Sequence, residues 1–190
     1  MGIFSNDATW LAEDKHMVAR SSKLLATDGG AHIYDVINKV NNMEQGMNIV
    51  VKNHTVEKDG YQLRECEFAK KGDKIAFVCD VPLIYEDYRK ADQFEYKFIN
   101  KKGKRTRAYE LKVDDVFGVS DYGFTTLVDG EKGVQLGKYV VVDEAGKYKE
   151  LDAEPSHAEY GFIGVVVGFE RYQYDTIVLV EVIKNQKVTA

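Results

Sequence analysis

Histidine and cysteine, the residue types that most often carry metal-site or thiol chemistry, occur singly in this sequence. None of the histidines has the i, i+4 or His-x-x-His spacing that places two imidazoles on one metal ion. The four histidines are His16, His32, His54 and His157. The cysteines Cys66 and Cys79 stand in separate apolar runs, without a Cys-x-x-Cys or Cys–His signature. The sequence therefore predicts isolated histidines, cysteines that pack as small apolar residues, and neither a zinc site nor a thiol nucleophile.

Other catalytic signatures are equally hard to find. There is no GxSxG nucleophile elbow, no GxxxxGK[ST] phosphate loop and no GxGxxG strand–helix turn. Adjacent acidic residues occur as Glu86-Asp87, Asp114-Asp115 and Asp143-Glu144. Hydrolases bring their paired carboxylates together from separate strands, so we interpret these neighbours as solvated turn residues. We predict that the protein is not an enzyme and that it holds no metal or organic cofactor.

One segment departs from the background composition. Residues 97–107 read KFINKKGKRTR, with six basic side chains and no acidic one, between Tyr96 and Tyr109. Three interpretations stay open: a site for single-stranded nucleic acid, a solvated hairpin tip that protects a strand edge from aggregation, and a surface that docks on an acidic protein. The candidate contact residues are Lys101, Lys102, Lys104, Arg105 and Arg107.

The overall composition limits these interpretations. The chain has 190 residues, of which 44% are apolar, and its 26 Lys plus Arg against 31 Asp plus Glu give a formal net charge of −5. An acidic chain is not primarily a binder of nucleic acid or of a membrane surface, so nucleic acid is an unlikely partner. No run approaches the ~18 apolar residues of a membrane span, and the opening MGIFSNDATW does not resemble a signal peptide. We expect a soluble, folded protein made inside the cell.

The first third of the chain differs from the rest. Residues 7–26 have the composition of an amphipathic helix with irregular spacing, and the alternative is an arm, partly helical or extended, that becomes ordered on a partner. In that arm, Trp10 and Leu11 are candidate partner contacts. A second helix is predicted from apolar residues at helical spacing. They are Ile33, Val36, Ile37, Val40 and Met43. We divide the chain into an N-terminal arm, 1–32, and a β-rich domain, 33–190.

From Met47 onward the apolar period becomes two, and turn residues separate short β-like runs. The clearest pattern predicts a β-hairpin over 94–113, with a turn at Lys101–Lys104. The two most apolar runs, GFIGVVVGF and YDTIVLVEVI, are expected to form the central pair of strands. Strands and turns without intervening helical patterns predict a mainly β fold, a single barrel or sandwich.

The order of several segments carries a resemblance. The segments are IYDVINKVNNMEQGM, GDKIAFVCDVPLIYEDYR, KFINKKGKRTRAYELKVDDVFGVS, QLGKYVVVDEAGKYKEL and GFIGVVVGFERYQYDTIVLVEV. Six short motifs occur along these segments. They are Glu-x-Gly, Val81-Pro82 before Tyr85-Glu86-Asp87, Arg107–Leu111, Asp115–Val119, Gly137–Val140 and Ile163–Val166. In this order, over about residues 33–184, the chain resembles the capsid decoration (cement) or accessory head proteins of tailed bacteriophages. Residues 1–32 have no counterpart in that pattern.

The resemblance implies a β-barrel or tulip-like domain that binds the outside of an assembled capsid and has no enzymatic activity. The expected partner is the major capsid protein, and the free protein is either a monomer or a self-associated trimer. The expected location is the capsid surface of the virion, after synthesis in the cytoplasm of the host bacterium. Many modest contacts would together stabilise the shell. The alternatives are a head–tail or tail component and a β-barrel module that binds or hydrolyses carbohydrate.

Overall fold

The computed structural model shows a mainly β protein, as the sequence predicts. It describes residues 10–11, 16–24, 33–58, 60–80, 96, 98–128, 133–172 and 175–189. Within these ranges the regular structure is strand, apart from short turns such as the 3₁₀ turn Asp121–Gly123. No helix in these ranges is long and apolar enough to cross a lipid bilayer.

The strands are numbered in chain order. They are β1 (Trp10–Leu11), β2 (Ala19–Arg20), β3 (Ile33–Ile37), β4 (Met43–Glu44), β5 (Asn48–Lys58), β6 (Tyr61–Phe68), β7 (Ala76–Val78), β8 (Phe98–Asn100), β9 (Arg105–Glu110), β10 (Val116–Ser120), β11 (Phe124–Thr126), β12 (Tyr139–Val142), β13 (Tyr148–Leu151), β14 (Phe162–Tyr172) and β15 (Asp175–Asn185).

The strands of the described ranges divide into three sets. One set, β3-β6-β5-β7-β9, closes on itself as a five-stranded barrel, in which only β3 and β6 run parallel. A seven-stranded sheet has the order β11-β13-β12-β14-β15-β10-β2, and a small sheet has the order β1-β8-β4. The mainly β fold class is therefore confirmed, but a single barrel or sandwich is not, because the strands are shared among several sheets.

The most apolar strands lie at the centre of the seven-stranded sheet. β14 and β15 pair antiparallel from Phe162 opposite Asn185 to Tyr172 opposite Asp175, which confirms the expected central pair. Along β15, Val178, Val180 and Val182 lie in the main core, whereas Ile177 and Leu179 pack in a second cluster with Val18. Burial on both faces explains why this run is apolar at nearly every position.

An aromatic cluster joins the barrel to the seven-stranded sheet. The ring of Phe117 in β10 lies 4.9 Å from that of Phe77 in β7, 5.8 Å from Tyr148 and 6.1 Å from Phe162. The hydroxyl of Tyr148 donates to the Gly46 carbonyl at 2.9 Å, so its polar end is satisfied inside the core. Barrel and sheet therefore share one core.

A buried asparagine makes a second connection between the barrel and the seven-stranded sheet. The side-chain amide of Asn185 at the end of β15 donates to the carbonyls of Ile75 and Leu111, and its oxygen accepts from the Ile75 N–H, each at 2.8 Å. These backbone groups would otherwise be buried without partners, which is costly.

The helix predicted from Ile33 to Met43 is wrong. Residues Ile33–Ile37 form β3, which is paired on one side with β6 and on the other with β9. The spacing of apolar residues fits a strand followed by a loop equally well, and a helix would leave the edges of β6 and β9 unpaired.

The helix considered for 7–26 is also wrong at the residues that the structure describes, because 10–11 and 19–20 are strands. Met17, Val18 and Ala19 are buried, and β2 forms the edge of the seven-stranded sheet next to β10. Met17, Val18 and Ala19 therefore pack against the rest of the protein. The division at residue 32 otherwise stays a prediction.

The turn of the hairpin predicted over 94–113 is confirmed, whereas the predicted pairing of its two strands with each other is wrong. The N–H of Lys104 donates to the Lys101 carbonyl at 3.1 Å, and Gly103 has a φ of 73°, as a tight turn requires. However, β8 pairs with β1 and β4, whereas β9 pairs with β3 and β7. Alternation predicts which face of a strand is buried but does not specify its partner. Residues 94, 95 and 97 lie outside the described ranges.

Candidate interaction surface

The structure places the two predicted groups of contact residues next to each other. Trp10 lies opposite Ile99 and Leu11 opposite Phe98, so β1 is paired with β8. β8 leads directly into the basic turn 101–104, and β9 follows. The pairing therefore places β1, which contains Trp10 and Leu11, beside the strand that precedes the basic turn, although the two are about ninety residues apart in sequence.

The basic turn is held by the loop that follows β3. The N–H of Gly103 donates to the Asn38 carbonyl at 2.6 Å, and the N–H of Lys102 donates to the side-chain oxygen of Asn42 at 2.9 Å. Asn38 in turn accepts, through its own side-chain oxygen, from the N–H groups of residues 40 and 41 at 3.0 and 2.9 Å. The backbone of the turn is thus fixed on both sides rather than projecting freely from a hairpin.

Several cations surround this turn, and we refer to them as the basic end. They are Lys58, Lys101, Lys102, Lys104 and Arg105. Lys58 belongs to β5, and its ammonium group donates to the Gly103 carbonyl. Lys102 and Arg105 are exposed, whereas Lys101 and Lys104 are half-buried. The basic end is therefore assembled from two separate parts of the chain.

Arg105 of the basic end is held by two side-chain contacts. Its Nε lies 3.0 Å from Asp35 Oδ1, and its guanidinium carbon lies 4.5 Å from the centre of the Tyr61 ring. The hydrogen bond to Asp35 raises the pKa of Arg105 above its usual value. A carboxylate and an aromatic face together fix the plane of this guanidinium.

The lysines of the turn are close enough to repel each other. Burial, and after it the positive charge of Lys104, lower the pKa of Lys101. Like charges held together in this way favour the approach of an anionic group. Arg107, the last predicted contact, lies farther along β9, where its N–H donates to Asp80 Oδ2 at 3.1 Å.

Apolar side chains are exposed beside these cations. Val40, on the loop that holds the turn, is 74% exposed, and Tyr61 is 52% exposed. A surface that mixes cations with exposed apolar groups is suited to contact with another protein. Asp35, Asn38 and Tyr61 carry no signal of a contact surface in the sequence, although an asparagine directly after an apolar strand is a signal for the loop.

Cys66, His16 and His157 each make a local contact in the structure. Cys66 is buried with its sulfur 3.8 Å from Met43 Sδ, and burial raises the pKa of its thiol to about 12. His16 lies 3.5 Å from Glu44 and His157 lies 3.2 Å from Glu154. No group of three or more His, Cys, Asp or Glu side chains that could hold a metal ion occurs among the residues described. His32 lies outside those residues.

The adjacent acidic residues differ in burial and in hydrogen bonding, although the sequence predicts that all of them are solvated turn residues. Asp115 is buried and accepts from the Lys112 N–H at 2.7 Å, whereas Asp143 caps its own turn by accepting from the N–H groups of residues 145 and 147. Glu150 of β13, which the sequence analysis missed, is a buried carboxylate that accepts from the N–H groups of Val128 and Gln135 at 2.6 and 2.7 Å. One carboxylate therefore holds the backbone at both Val128 and Gln135. The pair Glu86-Asp87 lies outside the described ranges.

Comparison with known proteins gives little beyond this geometry. No protein-family model matches the chain, and no curated protein matches it. Among solved structures, the chain is similar to the N base of head fiber gp8.5 of bacteriophage phi29, with 13% sequence identity and a TM-score of 0.44. The similarity covers 83% of this chain and 98% of that chain.

Proposed function

We propose that the protein is a non-enzymatic structural component of a tailed-bacteriophage virion, which binds the outer surface of the capsid and stabilises it. The order of its sequence segments, which resembles that of capsid decoration and accessory head proteins, supports the assignment to the virion. The mainly β architecture fits such a role.

The observation that carries the contact with the capsid is the basic end. Its cations belong to a chain with a formal net charge of −5, so the positive field is local. The backbone beneath it is fixed by the hydrogen bonds of Gly103 and Lys102, which lowers the entropy cost of binding. Exposed Val40 and Tyr61 add apolar area next to the charges. Such a surface is complementary to an acidic patch on a protein shell.

Stabilisation of the shell then follows from the number of copies. A single contact of this size is modest, but a protein that occupies every equivalent site of a lattice and bridges neighbouring subunits contributes many contacts at once. Trp10 and Leu11, which lie beside the basic end in β1, extend the proposed contact. Bridging requires only one copy at each site, so the mechanism works for a monomer as well as for a trimer.

The test uses capsids assembled from the major capsid protein encoded in the same genome. The full chain is added at increasing concentration, and co-sedimentation with capsids and the melting temperature of the shell are measured. We expect saturable binding that weakens as salt is raised, since exposed charges are screened. We expect the occupied shell to melt at a higher temperature.

Charge reversal locates the contact. The double variant Lys102→Glu/Lys104→Glu should reduce capsid affinity by about tenfold or more, since charged contacts that oppose like charges cost several kcal/mol. The matched control, Lys70→Glu/Lys112→Glu, changes the net charge equally at exposed lysines away from the basic end. Equal losses in both variants would show that only net charge matters. Binding to single-stranded DNA with no binding to capsids would instead favour the nucleic-acid interpretation and contradict the proposal.

A further inference from the structure

An open groove lies on the barrel, and it shares no residue with the basic end. Its volume is about 580 Å³, within the range of ligand-binding clefts. The groove exists because β5 leaves β7 early: within the described residues the two strands pair only at Asn48 and Ile49. β5 then continues along β6 and bulges between Val51 and Thr55. One edge of β5 consequently faces the groove.

A fixed aromatic ring lies in the wall of the groove. The hydroxyl of Tyr34 in β3 donates to Glu110 Oε2 at 2.6 Å, and Lys74 forms an ion pair with the other oxygen of Glu110. Burial and the nearby carboxylate raise the pKa of Tyr34, so the phenol stays protonated and continues to donate. The ring therefore has one preferred orientation.

Arg64 of β6 lies on that ring. Its guanidinium carbon is 4.9 Å from the centre of the Tyr34 ring, and the side chain is half-buried in the groove wall. A cation held over an aromatic face is restricted to fewer positions than a free side chain, and the N–H groups of a guanidinium can then bind an anion in its own plane. The position is thus preorganised before any ligand arrives.

The charges around the groove are unevenly compensated. The cations are Lys52, Arg64, Lys74 and Lys187, and the acidic residues are Asp73 and Glu110. Lys74 is paired with Glu110, and Lys52 lies 2.8 Å from Glu67. Among the residues that the structure describes, Arg64 has no carboxylate at ion-pair distance. A half-buried guanidinium without a counter-ion is a site for an anion, and a carboxylate matches its paired donors best.

We propose that this groove binds an extended acidic segment of a partner protein, with one carboxylate of that segment held by Arg64. Val50 and Val51 of β5 and the buried Ile75 supply apolar contacts along the groove, which a free inorganic anion would not use. The edge of β5 beyond Ile49 offers backbone groups to an extended chain, as in recognition by strand addition. The proposal concerns a different surface from the basic end and does not depend on the proposed function.

The test is an NMR titration of the isotope-labelled full chain with an acetylated and amidated Val-Glu-Val-Glu-Val peptide. Its glutamine counterpart and sodium sulfate are titrated in parallel. We expect shifts in the amides of residues 50–53 and in the Arg64 side chain with the glutamate peptide, and much smaller shifts with the glutamine peptide. Sulfate that binds as tightly as the glutamate peptide would indicate a general anion site and would overturn the proposal.

Variants of Arg64 complete the test. Arg64→Gln should weaken binding of the glutamate peptide by about tenfold or more, because the charged bidentate hydrogen bond is lost. Arg64→Lys should lie in between, since the charge remains but the planar fork does not. The basic-end variant Lys102→Glu/Lys104→Glu should bind the peptide like the wild type, so that this proposal and the proposed function can fail separately. Undiminished binding by a folded Arg64→Gln protein would overturn the groove assignment.

Discussion

Replacing Met17 with alanine is expected to destabilise the protein by about 3 kcal/mol, because this side chain is fully buried in the main core. The prediction tests whether the segment before β2 belongs to the fold. If residues 1–32 were an arm without a role in the core, the same substitution would change stability very little.

The magnitude follows from the neighbours of the side chain. A Cβ atom built on Gly46 would lie 3.1 Å from the Met17 Cε atom, and one built on Gly123 would lie 2.6 Å from it. The end of Met17 therefore fills space left by two glycines, which have no side chains that can move into a cavity. Buried methionine-to-alanine changes cost about 2 to 5 kcal/mol, more where the site cannot collapse, so about 3 kcal/mol is a moderate expectation.

The assay is urea unfolding of the full chain, followed by circular dichroism and tryptophan fluorescence. Lys23→Ala is the matched control in the same segment: Lys23 pairs with Glu170 at the surface, and both side chains are exposed, so the loss should be about 0.5 kcal/mol or less. Similar urea midpoints for Met17→Ala and Lys23→Ala would refute the packing argument and would favour an N-terminal arm that does not contribute to the core.

A double-mutant cycle makes the test independent of the absolute value. Gly123→Ala alone should destabilise by about 1 to 3 kcal/mol, because the new methyl group overlaps the end of Met17 and also comes within 3.1 Å of Val119 Cγ2. In the Met17→Ala background the overlap with Met17 is gone and only the contact with Val119 remains, so the double variant should be more stable than the sum of the single changes predicts, by about 1 kcal/mol. Strict additivity would show that the two residues are not in contact.

The further predictions concern three buried residues. Asn185→Leu should cost about 3 kcal/mol or more, because it leaves three buried backbone groups without partners, whereas the exposed neighbour Gln186→Leu should change the urea midpoint little. Tyr148→Phe removes a buried hydroxyl that donates inside the core and should cost about 1 to 2 kcal/mol in the same assay. Cys66 should resist a thiol reagent at pH 8 in the folded protein, since burial raises the pKa of its thiol to about 12, and rapid labelling would contradict its position. The raised pKa also means that its contribution to stability is complete below the unfolded value near pH 9 and is lost as the pH rises toward 12, which unfolding at pH 8 and pH 11 against Cys66→Ala measures.

Much of the local structure could be predicted from the sequence. The run YQLRECEF coincides with β6, VFGVS coincides with β10, and the two apolar runs near the end form the paired strands β14 and β15. Alternation and β-branched content are local properties, and local properties are what a pattern reports. The same reasoning failed at Ile33–Ile37, where apolar spacing fitted both a helix and a strand and only pairing with β6 and β9 decided between them.

The candidate interaction surface could likewise be predicted from the sequence only in part. The basic residues of 97–107 were visible as a cluster in the sequence, and so were Trp10 and Leu11 as separate apolar anchors. That the two lie side by side, through the pairing of β1 with β8, was not visible. The loop at Asn38 that fixes the turn and the Tyr61 ring beneath Arg105 were also missed, because both come from distant parts of the chain.

The sequence by itself determined where many of the strands after Met47 form and where positive charge concentrates, since both depend on residues within a few positions of one another. Only the tertiary structure decided which strand pairs with which, and hence that Met17 lies in the core and that Arg64 lies on Tyr34 beside an open groove. The physical reason is that strand pairing uses backbone groups common to every residue. Partners are therefore chosen by the packing of the whole chain rather than by any local pattern.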